Sequence, residues 1–170
     1  MIFYKLIFYS FKNYKILISH ITSIFSYKIK NQIQYPKKIY FIDNVFINAI
    51  STKFMNNFGR LYENIVAVEL KRKELNNDIK IYYWKNQQQE EVDFVIKEGL
   101  KVKQLIQVCF DINNLETKNR EIRALIKAGK ELKCNNLLII TEDMEKKEKA
   151  EWFGDKAAIN FIPLWKWLLM

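Results

Sequence analysis

The 170 residues include two cysteines, one histidine, two prolines and four glycines, and each scarcity removes a class of function. A disulfide scaffold needs dense cysteine, so Cys109 and Cys134 read as reduced thiols. With His20 alone they cannot complete a four-ligand zinc site without carboxylates. Neither G-x-x-x-x-G-K-[ST] nor G-x-G-x-x-G can be built from Gly59, Gly99, Gly129 and Gly154, which excludes a phosphate-cradling loop and ATP hydrolysis by this chain alone. A Ser-His-Asp triad would depend on His20, in a peripheral basic segment, and is set aside. Long apolar runs are also missing. Lys5, Lys12, Lys15 and Lys28 cut the first 30 residues into runs of at most 12, where a spanning helix needs about 20. No small-residue cleavage site follows. The expectation is a cytoplasmic protein with no membrane partner and no small-molecule substrate.

What is present supports a folded core: 49% of the residues are hydrophobic and 15% aromatic, against roughly 45–50% apolar in ordinary globular chains. The charge is lopsided. Residues 1–60 hold nine Lys and Arg against the single acid Asp43, whereas the other 110 residues hold 19 bases against 18 acids. Such a basic segment attracts phosphate backbones. Its candidates for nucleic-acid contact are Lys28, Lys30, Lys37 and Lys38, interleaved with Tyr27, Tyr35 and Tyr40, joined by Arg120 farther on; the bland alternatives are a solvated strand face and an Arg120–Glu121 ion pair.

Pro36 divides the chain into residues 1–35, a basic aromatic segment too short for a domain, and residues 36–170. The first part favours strands, as in Ser23–Lys30. Then follow a strand at Lys38–Asp43, a brief helix capped by Asn44 and running to Ile50, and a helix from Arg60 to Leu75. Strands are expected at Ile79–Trp84, Glu91–Ile96 and Val102–Phe110, a helix at Thr117–Leu132, and strands at Asn136–Thr141 and Ala158–Ile162, before a Trp-rich tail. Tight turns make the first three strands of this series antiparallel. The Thr117–Leu132 helix is a crossover, which makes the strands on either side of it parallel. The fold class is α/β, a mixed central sheet flanked by helices.

The informative side chains are acidic. Glu63 lies on the first long helix and Asp93 in Glu91-Val-Asp-Phe, while Gln107 and Cys109, two apart on the next strand, share a face that a hairpin can bring beside Asp93. This is the geometry of the restriction-endonuclease-like, PD-(D/E)xK nuclease core. There a helix Glu, a strand Asp and a strand Glu bind a divalent metal, and a lysine two residues on orients the attacking water. Here Gln107 is neutral where a carboxylate is wanted, and Cys109 has no fixed positive charge. Glu63 and Asp93 remain as ligands for Mg²⁺ or Mn²⁺, and the site reads as degenerate. The competing readings are that Glu63 or Glu69 satisfies an arginine or backbone groups, that Cys109 is a small core residue, and that Trp165 and Trp167 pack back on the domain.

In order along the chain, Lys37-Lys-Ile-Tyr-Phe-Ile-Asp-Asn44, Gly59-Arg-Leu-Tyr-Glu-Asn-Ile-Val66, Ile81-Tyr-Tyr-Trp84, Glu91-Val-Asp-Phe94, Leu105-Ile-Gln-Val-Cys109 and Glu116-Thr-Lys-Asn-Arg-Glu121 resemble the C-terminal domain of unknown function that follows the P-loop module in many archaeal and bacterial AAA-type ATPases. The resemblance covers residues 22–142. It implies a PD-(D/E)xK-like fold behind a winged-helix-like connector, of which residues 1–35 would be a remnant. Glu63 and Asp93 match the family's retained acids, Gln107 and Cys109 would be family features, and no catalytic lysine carries over. The expected function is a noncatalytic recognition module, stand-alone or truncated, whose partners are DNA and a separately encoded P-loop ATPase module. The alternatives are a Mg²⁺- or Mn²⁺-dependent DNA nuclease with an atypical site at Glu63, Asp93 and Gln107, and a nonfunctional gene remnant.

Overall fold

From Ile79 onward, short apolar stretches bounded by charged residues form strands, and most of them are buried on both sides of one sheet. The computed structural model describes residues 18–42, 44 and 58–170. Among them, strands β1 (Ile18–Ile24), β2 (Lys38–Phe41), β3 (Ile79–Lys85), β4 (Glu91–Glu98), β5 (Lys101–Val108), β6 (Leu137–Thr141), β7 (Lys146–Trp152) and β8 (Asp155–Pro163) form one mixed sheet ordered β2-β1-β3-β4-β5-β6-β8-β7. The helices are α1 (Ile29–Gln34), α2 (Phe58–Asn76), α3 (Leu115–Leu132) and α4 (Leu164–Leu168). Strands β3, β4 and β5 are antiparallel neighbours, and β5 lies parallel to β6 across the α3 crossover, as expected from the connection lengths.

Successive residues of each strand serve opposite faces. Leu105, Leu137, Ile139, Ile159 and Phe161 pack beneath α3, meeting Ile122, Leu125, Ile126 and Leu132. Ile106, Leu138 and Ile140 face the other way, beneath α2 and α4, against Val66, Ala67, Leu70, Leu164 and Trp167. Covered on both faces, β6 is buried along its whole length, which is why it reads as an unbroken Leu-Leu-Ile-Ile run. Each fully buried large side chain contributes about 1.5–3 kcal/mol. Asn114 caps α3, its side-chain oxygen accepting from the Thr117 N–H at 3.0 Å. Within α3, Gly129 allows a close approach, because a Cβ there would stand 2.9 Å from the Cys134 carbonyl oxygen.

Three expectations change. The first strand ends at Ile24, because a turn closes behind it. The Ser26 hydroxyl accepts from the Lys28 N–H, the Gln32 amide donates to the Ser26 carbonyl, and residues 29–34 turn helical instead of extending a strand to Lys30. Second, β1 pairs with β2 on one side and β3 on the other, so residues before and after Pro36 share one sheet. Third, β7 has no counterpart in the expected elements. Its sequence, Lys146-Lys-Glu-Lys-Ala-Glu-Trp, is the charged kind that protects a sheet edge. It joins β8 through a two-residue turn in which Phe153 and Gly154 have φ of 47° and 84°, the sign pattern of a type I′ hairpin.

The brief helix expected after Asn44 lies outside the described residues, apart from Asn44 itself. The C-terminal tail does pack back: Leu164 and Trp167 are buried, while Trp165 and Leu168 remain exposed. Among the described residues, no helix is long and apolar enough to cross a membrane.

Candidate functional site

Three sequence-distant elements converge where β2, α2 and β4 meet. Lys38 and Tyr40 are two apart on β2, and Glu91 and Asp93 two apart on β4, while Glu63 descends from the second turn of α2. The Lys38 ammonium lies 2.7 Å from Glu91 Oε1, 2.8 Å from Asp93 Oδ1 and 2.9 Å from Glu63 Oε1. The Tyr40 hydroxyl donates to the same Glu63 oxygen at 2.7 Å. One side chain therefore engages all three carboxylates, in a position where its own exposure is only 20%.

A β-bulge aims Asp93. Opposite Tyr82 stands Val95, but opposite Trp84 stands Val92, so β4 carries one residue more than β3 between these pairs. The extra residue lets Val92 and Val95 both enter the core beneath α3 despite their odd spacing, and it disrupts the local ladder around Asp93. The Asp93 N–H donates to Gln107 Oε1 at 3.1 Å, and the Val108 N–H donates to Asp93 Oδ2 at 3.0 Å. The buried carboxylate thus has an acceptor role at each oxygen, as burial demands.

Gln107 looks away from the lysine. Its Nε2 donates to Glu121 Oε2 at 2.7 Å, and Glu121 Oε1 accepts from Arg120 at 2.6 and 3.0 Å. A glutamate could accept from Asp93 N–H but could not donate to Glu121. The amide is therefore the group this position requires: it bridges a backbone donor and a carboxylate acceptor at once.

Protonation follows from the same contacts. Burial pushes the Asp93 carboxyl up to about 7, with the Lys38 ammonium opposing the rise and Glu63 adding to it. For Lys38, burial works against the charge, but the carboxylates of Asp93, Glu63 and Glu91 outweigh it and hold the ammonium well above the ordinary lysine range. Burial likewise raises the Tyr40 phenol, which stays a neutral donor to Glu63. Cys109 is pushed up to about 12, first by burial and then by Glu121 nearby, and is a core thiol rather than a nucleophile.

Of the expected site residues, the structure brings Glu63 and Asp93 together and gives Gln107 to the opposite face, linked to Asp93 through its backbone. Glu69 pairs instead with Arg72, one turn along its own helix, at 3.5 Å. Lys38, expected at a phosphate, has the three carboxylates as partners. Lys28, Lys30 and Lys37 are exposed, with no ion pair among the described residues, and the Arg120 side chain is largely exposed while bonded to Glu121. Glu91, Tyr40 and Glu121 were not singled out for such roles. The signal for the first two was the i, i+2 spacing that puts Lys38 with Tyr40, and Glu91 with Asp93, on one strand face.

The donor set does not fit a divalent metal as it stands. Among the described residues, no group of three or more His, Cys, Asp and Glu is arranged to hold one, and an ammonium occupies the space between the carboxylates.

Two substitutions test this geometry. Lys38→Met leaves three carboxylates without their cation and should cost about 3–5 kcal/mol at pH 8. Because the native Asp93 keeps a proton that the unfolded chain has lost between about pH 4 and pH 7, that carboxyl lowers stability as pH rises through this window. Removing Lys38 raises that carboxyl further and extends the fall to higher pH, so urea denaturation should show a smaller cost at pH 5 than at pH 8, and a pH-independent cost would contradict the assignment. Gln107→Glu sets a carboxylate against Glu121 and loses a charged hydrogen bond, with an expected cost of about 1.5–3 kcal/mol; a neutral or stabilising result would contradict the bridging role.

A family model described as a domain of unknown function (DUF4143) matches residues 58–167, which include Glu63, Glu91, Asp93, Gln107 and Glu121. The uncharacterized protein MJ1544 of Methanocaldococcus jannaschii is 41% identical over 147 residues, covering 85% of this chain and 32% of that protein. This chain thus spans about a third of the length of the curated relative it matches. The family model matches more than half of the chain, and the chain belongs to the DUF4143 domain family.

Proposed function

We propose that this chain is a noncatalytic recognition module with a restriction-endonuclease-like core, related to the C-terminal domain of archaeal-type ATPases. The observation that carries the reading is the Lys38 ammonium, 2.7–2.9 Å from Glu91, Asp93 and Glu63. A hard divalent cation needs several oxygen ligands at about 2.0–2.6 Å, and it cannot share this space with an ammonium of like charge. Gln107, the residue on the third strand of the series, is committed to Asp93 N–H and Glu121. The acidic cluster thereby has its cation from within the chain, and its role is to tie β2 and α2 to β4.

The experiment is a cleavage assay with the full chain, on double- and single-stranded DNA, in Mg²⁺ and in Mn²⁺, together with calorimetric titration of Mn²⁺. The expected result is no cleavage above the buffer control and no saturable Mn²⁺ binding. Metal-dependent cleavage that disappears in a folded Asp93→Asn variant would overturn the reading in favour of a nuclease in which Lys38 vacates the site.

A further inference from the structure

Among the described residues, a group of exposed apolar side chains lies at the β1–β2 end of the sheet. Ile21 of β1 and Ile39 of β2 are register partners, so they share the sheet face opposite Thr22 and Lys38. Among the described residues, α3 covers that face over β4, β5, β7 and β8 and does not extend its main contacts to β1 and β2. Beside it α1 packs on β1 with no buried residue, and presents Ile29 and Ile33, 74% and 71% exposed and one helical turn apart. Tyr27, Tyr35 and Ile42 are exposed as well. Exposed apolar side chains carried by two paired strands and by the helix packed on one of them mark an interaction site.

Its charge says what fits. Residues 18–42 contain four lysines and no acid. Lys38 is spent on the carboxylate cluster, which leaves Lys28, Lys30 and Lys37 exposed beside Ile29, Ile33 and Ile39. A second copy in a two-fold contact would press these lysines against their own symmetry mates, a like-charge arrangement that opposes association. A nucleic-acid backbone would use the lysines but leave the isoleucines in water.

The match with the longer relative supplies the second argument. A match that spans 85% of this chain leaves too few residues outside it for Ile29, Ile33 or Ile39 to escape it at either end. The face therefore lies within a region shared with a protein that has about two-thirds of its length elsewhere. We infer that this face is a docking surface for a protein partner, apolar at its centre and acidic at its rim, of the kind the longer relative carries outside the matched region. The inference deepens the noncatalytic recognition reading and rests on it, by naming what is recognised.

The test is thiol labelling, which is blind to DNA cleavage, so the two readings fail separately. A cysteine is introduced by Ile33→Cys in this chain and at the aligned position of the intact Methanocaldococcus protein, and maleimide modification is timed. Cys109 and Cys134 are buried and give little background. Circular dichroism confirms that each variant is folded. The expected result is rapid labelling in this chain and labelling slower by a factor on the order of ten or more in the intact relative. Equal rates would overturn the inference. So would protection in this chain that is lost on dilution, which assigns the face to a second copy, or lost on deleting residues 1–17, which assigns it to the chain's own N-terminal segment. Protection by duplex DNA at low salt, or by vesicles of anionic lipid, would likewise replace the protein partner.

Discussion

One ammonium group among three carboxylates organises the side of the molecule where β2, α2 and β4 meet. Without Lys38, the carboxylates of Glu63 and Asp93 would lose the cation they share, Glu91 would keep only Lys85 at 3.4 Å, and β2, a four-residue strand, would lose its principal polar tie to β4. Asn64 completes the attachment. Its side chain both accepts from the Phe41 N–H and donates to the Phe41 carbonyl, which closes the strand's outer edge with an amide that imitates a neighbouring strand. The edge is thereby anchored to α2 by one charged and one neutral device, while Ile21 and Ile39 on the face beyond it are exposed.

The second constraint is the bulge in β4. By inserting one residue it turns Asp93 toward Lys38 and frees the Asp93 N–H, which Gln107 then satisfies from β5. Gln107 in turn hands the connection to Glu121 on α3. A single polar path therefore runs from β2 through the sheet to the helix on its far face. Every member has a specific chemical reason: a cation for the carboxylates, an amide for a site that must donate and accept, and a carboxylate held by Arg120 at the entrance of α3. Buried polar paths of this kind fix a unique arrangement only when each member is satisfied.

Much of this was legible in the sequence. The antiparallel order of β3, β4 and β5, the α3 crossover and the buried β6 follow from spacing and run length, and Asp93 stood out because a carboxylate among Val92, Phe94 and Val95 needs partners. The remainder depended on facts that spacing does not contain. Lys38 looked like one of several surface lysines, since nothing local distinguishes it from Lys37; only the pairing of β2 with β1, and the descent of α2 beside it, places it among the acids. Gln107 looked like a weakened ligand because its donor role becomes visible only with Glu121 in position. Strand β7 was missed because a charged, exposed edge strand carries little hydrophobic signal, and the register of β4 was hidden because a bulge leaves no pattern of its own in the sequence.

The central claim is that the cation of this acidic site is the protein's own Lys38. It is tested most directly by observing the Lys38 side-chain nitrogen by ¹⁵N NMR, assigned with a Lys38→Met variant, across a pH titration. A buried ammonium bonded to Glu63, Glu91 and Asp93 should show slowed proton exchange and remain an ammonium through the ordinary lysine range near 10.4, up to the pH at which the protein unfolds. A Lys38 signal that exchanges freely and titrates at about the ordinary value, in the folded protein, would contradict it.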